Sequence, residues 1–421
     1  MRTERLRAGE FAAPTRPDPV PGTARPLRIV MIGQKGLPAT YGGVEHHVEE
    51  LGWRLAARGH HVDVFCRPGY GGTGTELYRG MHLRRAATIG TRHLDAIGHS
   101  VVSSLHSMRD APDVVHYHAL GPVLAAPLVR ALSRSAVVVT VHGLDHERDK
   151  WGLLARGVLS VGHWMSARVP EETVVVSRQL QQHYAEQFGR RAVYIPNGVD
   201  APVRRKADEI TRRWGLTADN FVLHVGRLVP EKAADLLIRA YRDVPGDRPL
   251  VIAGDSSFTD AYVARLRKEA DGDPRVKFCG YVFGDTLAEL YSNAAVFVQP
   301  SRLEGLPLTL LEASSHGIPV VASDIAPHRE ILGRAASGLV PVGDQAALSG
   351  RITEFLGDPP LVAARVLREQ VLRTFRWDTA AVELERVYLR AASRIARQRT
   401  GADVGPGYVD AASMNMRRRA R

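Results

Sequence analysis

Two glutamates, Glu304 and Glu312, bracket the stretch of this chain with the most chemical content, Ser301-Arg-Leu-Glu-Gly-Leu-Pro-Leu-Thr-Leu-Leu-Glu-Ala. Pro307 suits the first turn of a helix, where its missing N–H costs nothing. Glu304 then lies in the loop before that helix and Glu312 more than a turn inside it. Such carboxylates cannot act as a pair on one helix face; they would address different parts of a long ligand. Gly305 and Leu306 would offer free backbone N–H groups at the helix N-terminus, a place that favours an anion. An ordinary loop glutamate and a solvated helix glutamate fit the same pattern. A second cluster, Gly226-Arg-Leu-Val-Pro-Glu-Lys, adds weight to the functional reading. Arg227 follows a strand end and Lys232 begins the next helix. Two cations at one cleft mouth suit a diphosphate, with Arg forking onto its oxygens and Lys acting as a point charge. A solvated turn is the alternative.

Gly42 and Gly43, in the stretch from Gly33 to Glu45, allow the backbone to approach an oxygen-rich ligand where a helix begins. The spacing fits neither G-x-G-x-x-G nor a P-loop, so a tight connection is the plain alternative. His116 and His118 share one side of their strand by alternation, and His142 ends another strand that runs into Gly143-Leu144-Asp145. Strand ends of this kind point into a cleft, which makes His142 a functional candidate. For His116 and His118, satisfied structural histidines remain the alternative. No convincing carboxylate accompanies them, so no metal is expected at the site.

These residues need elements to hold them. Apolar runs at 28–33, 61–65, 113–117, 136–142, 173–177 and 192–195 read as strands, several buried on both faces. Val44, Val48, Leu51 and Leu55 fall at helical spacing after the first run. The plan repeats at 221–225, 249–253, 275–279, 295–298 and 319–322, with Ala234, Leu237, Ile238 and Tyr241 as a helical stripe. Strands alternating with helices imply an α/β fold of two Rossmann-like, doubly wound parallel-sheet domains facing a cleft. The change-over falls near Pro196-Asn197-Gly198.

Composition bounds the rest. The chain has 421 residues, 44% hydrophobic and 24% charged, the balance of a folded protein. Its formal net charge of +11 invites a nucleic-acid reading. No zinc-finger spacing, RNA-binding aromatic signature or basic recognition helix supports one. Cys66 and Cys279 stand far apart in apolar strand-like contexts, as in a reducing compartment. With no apolar run long enough for a membrane span and no secretory leader, the expected location is the cytoplasm. The segment Lys150 to Trp164 mixes apolar residues with cations, as interfacial helices do, although a buried helix also fits. Together with the basic end Arg417-Arg418-Arg419-Ala420-Arg421 it keeps peripheral contact with the inner membrane face open.

The Glu304–Glu312 segment, the Arg227–Lys232 loop, the Gly42-Gly43 turn and Pro196-Asn197-Gly198-Val199-Asp200 occur together and in order. Together they resemble the retaining GT-B glycosyltransferases of the family-4 type, over about residues 28 to 395. The stretch Gly36-Leu-Pro-Ala-Thr-Tyr-Gly-Gly-Val-Glu45 is similar to rhamnosyltransferases of bacterial surface polysaccharide synthesis. The resemblance implies an N-terminal acceptor-binding domain at 27–198 and a nucleotide-sugar-binding domain at 199–376. A helix at 377–397 would cross back to the first domain, with tails at 1–26 (disordered) and 398–421 (basic and flexible). Arg227 and Lys232 would neutralise the donor diphosphate, and Glu312 would hold the ribose. Glu304 with the Gly305 and Leu306 amides would hold the transferred sugar. Gly43 would sit near diphosphate or sugar, His142 would contact the sugar, and Tyr281 and Val282 would flank the base. Asn197 would lie at the interdomain junction. The implied reaction is front-face transfer of a hexose to an acceptor hydroxyl, with retention and without metal or other cofactor. Its partners would be a nucleotide-sugar donor and an acceptor sugar, lipid-linked sugar or small molecule, with no nucleic acid. An epimerase or phosphorylase on the same fold, or a non-catalytic partner in polysaccharide assembly, would keep much of this pattern.

Overall fold

The computed structural model describes residues 25–39, 42–70, 76–88, 95–144, 152–256, 259–333 and 336–400. Its first lobe carries strands β1 (Arg28–Ile32), β2 (His61–Cys66), β3 (Glu76–Tyr78), β4 (Met81–Arg85), β5 (Val114–His118), β6 (Ala136–Val141), β7 (Glu172–Val175) and β8 (Val193–Tyr194). Between them run α1 (Gly43–Ala57), α2 (Asp95–Arg109), α3 (Ala126–Leu132), α4 (Leu153–Arg168) and α5 (Arg178–Phe188). The sheet order is β3-β4-β2-β1-β5-β6-β7-β8, parallel throughout except for the β3–β4 hairpin at its edge. The Ala136–Val141 run AVVVTV is buried at every position, because helices cover both faces and β-branched side chains fill the pleat.

The second lobe repeats the plan with β9 (Val222–Val225), β10 (Leu250–Ala253), β11 (Val276–Gly280), β12 (Val296–Gln299), β13 (Val320–Ser323) and β14 (Leu339–Val340). Its helices are α6 (Glu209–Trp214), α7 (Ala234–Tyr241), α8 (Asp260–Glu269), α9 (Gly284–Asn293), α10 (Leu308–His316), α11 (Ala326–Leu332), α12 (Gln345–Gly357) and α13 (Leu361–Thr374). The order β11-β10-β9-β12-β13-β14 is that of a dinucleotide-fold sheet. Growth reverses between β9 and β12, as it does between β1 and β5 in the first lobe. Crevices open at these two reversals, beyond the carboxyl ends of the strands.

The last helix, α14 (Trp377–Thr400), packs on α1 and β6 of the first lobe. Trp377, Ala381, Leu384, Val387, Tyr388 and Ala391 are buried there, in one core with Val48, Leu51 and Leu55 of α1. The chain therefore crosses between lobes twice, at adjoining points: the Val199 N–H donates to Phe375 O at 2.8 Å. Arg54 of α1 ties both crossings down, with Asp200 at 2.8 Å and Asp378 at 2.9 Å.

Some local expectations change. Lys232 closes a 3-10 turn, Pro230–Lys232, and the helix begins two residues later. Pro307 occupies the cap position just ahead of α10. The Lys150–Trp164 segment is α4 from Leu153 onward, Lys150 and Trp151 lying outside the described residues. Its two faces divide, with His163 and Met165 buried and Val158, Val161 and Trp164 exposed. The tail expectations for residues 1–24 and 401–421 also lie outside the described residues. No helix among the described residues is long and apolar enough to cross a membrane.

Candidate active site

The two sheets point their carboxyl ends at a shared cleft of about 490 Å³, within the usual range for a small-molecule site. Its wall brings together Gly42, Gly43, His142 and Asn197 from the first lobe and the crossover. Opposite them stand Arg227, Lys232, Tyr281, Val282, Glu304, Gly305, Leu306 and Glu312 from the second. Asp145 lies outside the described residues.

Charge is concentrated on the second lobe's wall. Lys232 Nζ donates to Glu304 Oε1 at 2.5 Å, and Gln299 Nε2 donates to the same oxygen at 2.7 Å. Thr309 Oγ1 in turn orients Gln299 at 3.1 Å. Burial alone would raise the Glu304 carboxyl, but the Lys232 ammonium outweighs it and holds the group at about 2. Glu304 is therefore a fixed carboxylate at neutral pH. Beneath the pair, His224 Nδ1 donates to Val298 O and His328 Nδ1 to Ser323 O. Burial lowers both rings to about 4, so they stay neutral. Glu312 has no cation bonded to it among the described residues. Burial raises its carboxyl, opposed by the charge of His46 and a 2.9 Å hydrogen bond from Tyr291.

Close backbone approaches shape the floor. A β-carbon on Gly254 would lie 1.8 Å from Gly226 O, so this turn admits only glycine next to Arg227. A β-carbon on Gly305 would lie 1.8 Å from His142 O, across the cleft in the other lobe. No acceptor among the described residues takes the Gly305 or Leu306 amide. Tyr281 hydrogen-bonds Ser256 O at 2.7 Å and stacks on Phe283, ring centroids 6.0 Å apart, giving that end a flat aromatic side.

Asn197 joins the lobes. Its Nδ2 donates to Leu306 O at 2.8 Å, and His47 Nδ1 donates to its Oδ1 at 2.9 Å. His47 was not singled out by the sequence, since it lies in a run of charged helical residues that reads as a solvated face. Gln299 and Tyr291 were also missed, each being an unmarked residue in a buried element.

The two other histidines need correction as cleft residues. His116 and His118 share one side of β5 with ring centroids 4.1 Å apart, yet neither lines the cleft. His116 is fully buried between Thr140 Oγ1 at 2.7 Å and Tyr388 OH of α14 at 2.6 Å. His118 lies under His142, Nδ1 to Nε2 3.4 Å. Burial lowers both well below the usual histidine range. The reason is α14, which covers that side of the sheet.

Two parallel-sheet lobes with cations and carboxylates facing one cleft make up the GT-B architecture. A profile of the group 1 glycosyl transferases matches residues 206–370, and one of glycosyltransferase family 4 matches residues 41–202. The chain belongs to this family and is a nucleotide-sugar-dependent glycosyltransferase. It is 30% identical to a glycogen synthase of Mycobacterium tuberculosis over 418 residues, covering 88% of this chain and 96% of that one. It is 29% identical to a GDP-mannose-dependent alpha-(1-6)-phosphatidylinositol monomannoside mannosyltransferase of the same species, covering 84% and 96%. Among solved structures, sucrose-phosphate synthase from Thermosynechococcus elongatus superposes with a TM-score of 0.74 at 24% identity, covering 87% of this chain and all of that one. Anabaena HepE, in complex with UDP and glucose, gives 0.73 at 19%, covering 86% and 100%.

Proposed function

We propose that this enzyme transfers a hexose from a nucleoside-diphosphate hexose to an acceptor hydroxyl with retention of anomeric configuration and without a metal ion. The observation that carries this reading is the row of Arg227, Lys232 and Glu304 on one wall, with Glu312 further along it. Lys232 and Arg227 neutralise the donor diphosphate, the charge a metal ion would otherwise balance. Glu304 and the Gly305 and Leu306 amides hold the sugar hydroxyls. Glu312 accepts from the ribose, and the Tyr281–Val282 segment meets the base. His142 contacts the sugar from the opposite lobe, and the Gly42-Gly43 turn lets α1 approach the same oxygens.

The acceptor oxygen bonds to the anomeric carbon on the face from which the β-phosphate oxygen departs. That departing oxygen takes the acceptor's proton, so no side-chain nucleophile is needed. Catalysis then rests on positioning and on charge stabilisation of the leaving diphosphate. The named relatives, a glycogen synthase and a phosphatidylinositol mannoside mannosyltransferase, support a place in polysaccharide or glycolipid synthesis. The Gly36–Glu45 stretch supports surface polysaccharide within that range. Exposed Val158, Val161 and Trp164 on α4 support contact with the membrane of a lipid-linked acceptor.

The test is a thermal-shift panel of UDP-, dTDP-, GDP- and ADP-sugars with EDTA present, followed by NMR of the product anomer. A ligand that binds only the folded state raises the melting temperature. One nucleotide class should do so, and Glu312→Ala should abolish the shift. An inverted product, or a shift that needs a divalent ion, overturns the mechanism.

A further inference from the structure

The histidines behind the cleft wall form a cluster with its own chemistry. His47 of α1, His118 at the end of β5 and His142 just beyond β6 each bring one ring nitrogen within 4.8 Å of the other two. The hydrogen-bond chain through Asn197 sets the state of His47. Asn197 Nδ2 is spent on Leu306 O, so Oδ1 accepts from His47 Nδ1–H and the lone pair is left on Nε2. That Nε2 is enclosed and has no partner among the described residues. Buried polar atoms are nearly always paired, so this orphan beside two further imidazoles calls for an occupant. The 3.4 Å between His118 Nδ1 and His142 Nε2 is long for a hydrogen bond. It is close to the roughly 3.3 Å between two nitrogen ligands on a tetrahedral ion with bonds of about 2.0–2.1 Å.

We propose that His47, His118 and His142 form a site for a borderline divalent transition-metal ion of the zinc class, and that the bound ion competes with the donor sugar for His142. His47 and His118 are enclosed while His142 is half-buried on the cleft wall, so the fourth coordination position faces the cleft. Three neutral imidazoles select zinc, cobalt or nickel over magnesium and calcium, which take oxygen ligands. The Nδ1–H of His47 held by Asn197 is the outer-shell contact that orients a metal-binding ring. The site stands without the transfer reading; the competition rests on it.

Cobalt(II), which reports tetrahedral coordination by its visible d–d bands, is titrated into the chelator-treated full chain. One ion per chain should bind, displaced by zinc and indifferent to magnesium. His142→Ala, at a half-exposed position where folding is not at stake, should weaken cobalt by about tenfold or more, and so should His118→Gln and His47→Gln. His183→Gln, remote from the cluster, should keep the spectrum. A featureless titration, or a spectrum that survives His142→Ala, overturns the site. In a second arm UDP-glucose, GDP-mannose and ADP-glucose are added in excess. The one that raises the melting temperature should weaken cobalt binding by about tenfold, while its nucleoside diphosphate should not. Equal cobalt affinity with and without that sugar overturns the competition. If no member of the full UDP-, dTDP-, GDP- and ADP-sugar panel raises the melting temperature, the donor reading and the competition fail together, and the cobalt spectrum still decides the site.

Discussion

Replacing Gly305 by alanine would put a β-carbon 1.8 Å from His142 O and 2.9 Å from the carbon bearing it. Real β-carbon contacts essentially never fall under 3.0 Å. Both partners are main chain, so no side chain can rotate aside; the donor loop and the His142 strand end must part. Opening 1.8 Å to at least 3.0 Å is a withdrawal of about 1.2 Å, and a misplacement of that order costs on the order of 100-fold in rate. Gly305→Ala should therefore lower kcat/KM about 100-fold. Most of the loss should appear in kcat, because Lys232 and Glu304 keep their own lobe's geometry. The fold itself should persist. Gly305 carries no positive φ, and the stretched Asn197–Leu306 bond is worth about 1 kcal/mol, so the melting temperature should fall by no more than about 4 °C. Initial rates across donor concentration, with a melting curve on the same preparation, measure both quantities. A kcat/KM within about threefold of the parent enzyme, far short of the fall that misplacement implies, would refute the argument.

Lys232→Ala should lower turnover by more than about tenfold through loss of charge on the leaving diphosphate; near-normal turnover in initial-rate assays would sink the diphosphate assignment. Glu304 sits near 2, below the ordinary 4.5, so the unfolded chain holds that proton more tightly. Its contribution, about 3 kcal/mol, is complete above pH 4.5 and is lost as pH falls toward 2. Urea midpoints over that range should fall less steeply in Lys232→Met than in the parent, and parallel slopes would contradict the pairing. Asn197→Ala strands both His47 Nδ1 and Leu306 O and should cost about 1–3 kcal/mol in urea unfolding; an unchanged midpoint would show that the interlobe bond contributes nothing.

Much of this was legible because parallel strands buried on both faces write themselves as apolar runs. Ala136–Val141 and Val320–Ser323 fall where such runs do. The β3–β4 hairpin escaped because it lies at an edge, where Met81-His-Leu-Arg-Arg buries only Met81 and Leu83. Two-residue β14 also went unread, although β8, equally short, was found within the run 192–195. At the site, the cations and carboxylates announced themselves by spacing, and the structure places them on one wall. His116 misled because alternation tells which residues share a side and not what covers that side. Tyr388, 272 residues away, does so. His47 hid in Glu45-His46-His47-Val48-Glu49-Glu50, a run that looks solvated although His47, Glu49 and Glu50 are all buried.

The paired crossings have a consequence for synthesis. Because α14 completes the first lobe, residues 199–376 are in effect an insertion whose two ends meet at the Val199–Phe375 hydrogen bond. The first lobe emerges from the ribosome without the helix that covers Val48, Leu51 and Leu55. At about 5–20 residues per second it waits roughly 10–40 s with that face bare while the second lobe is made. A chaperone would meet the nascent enzyme in this interval, and the face it would bind is the one that Trp377, Leu384 and Tyr388 later close.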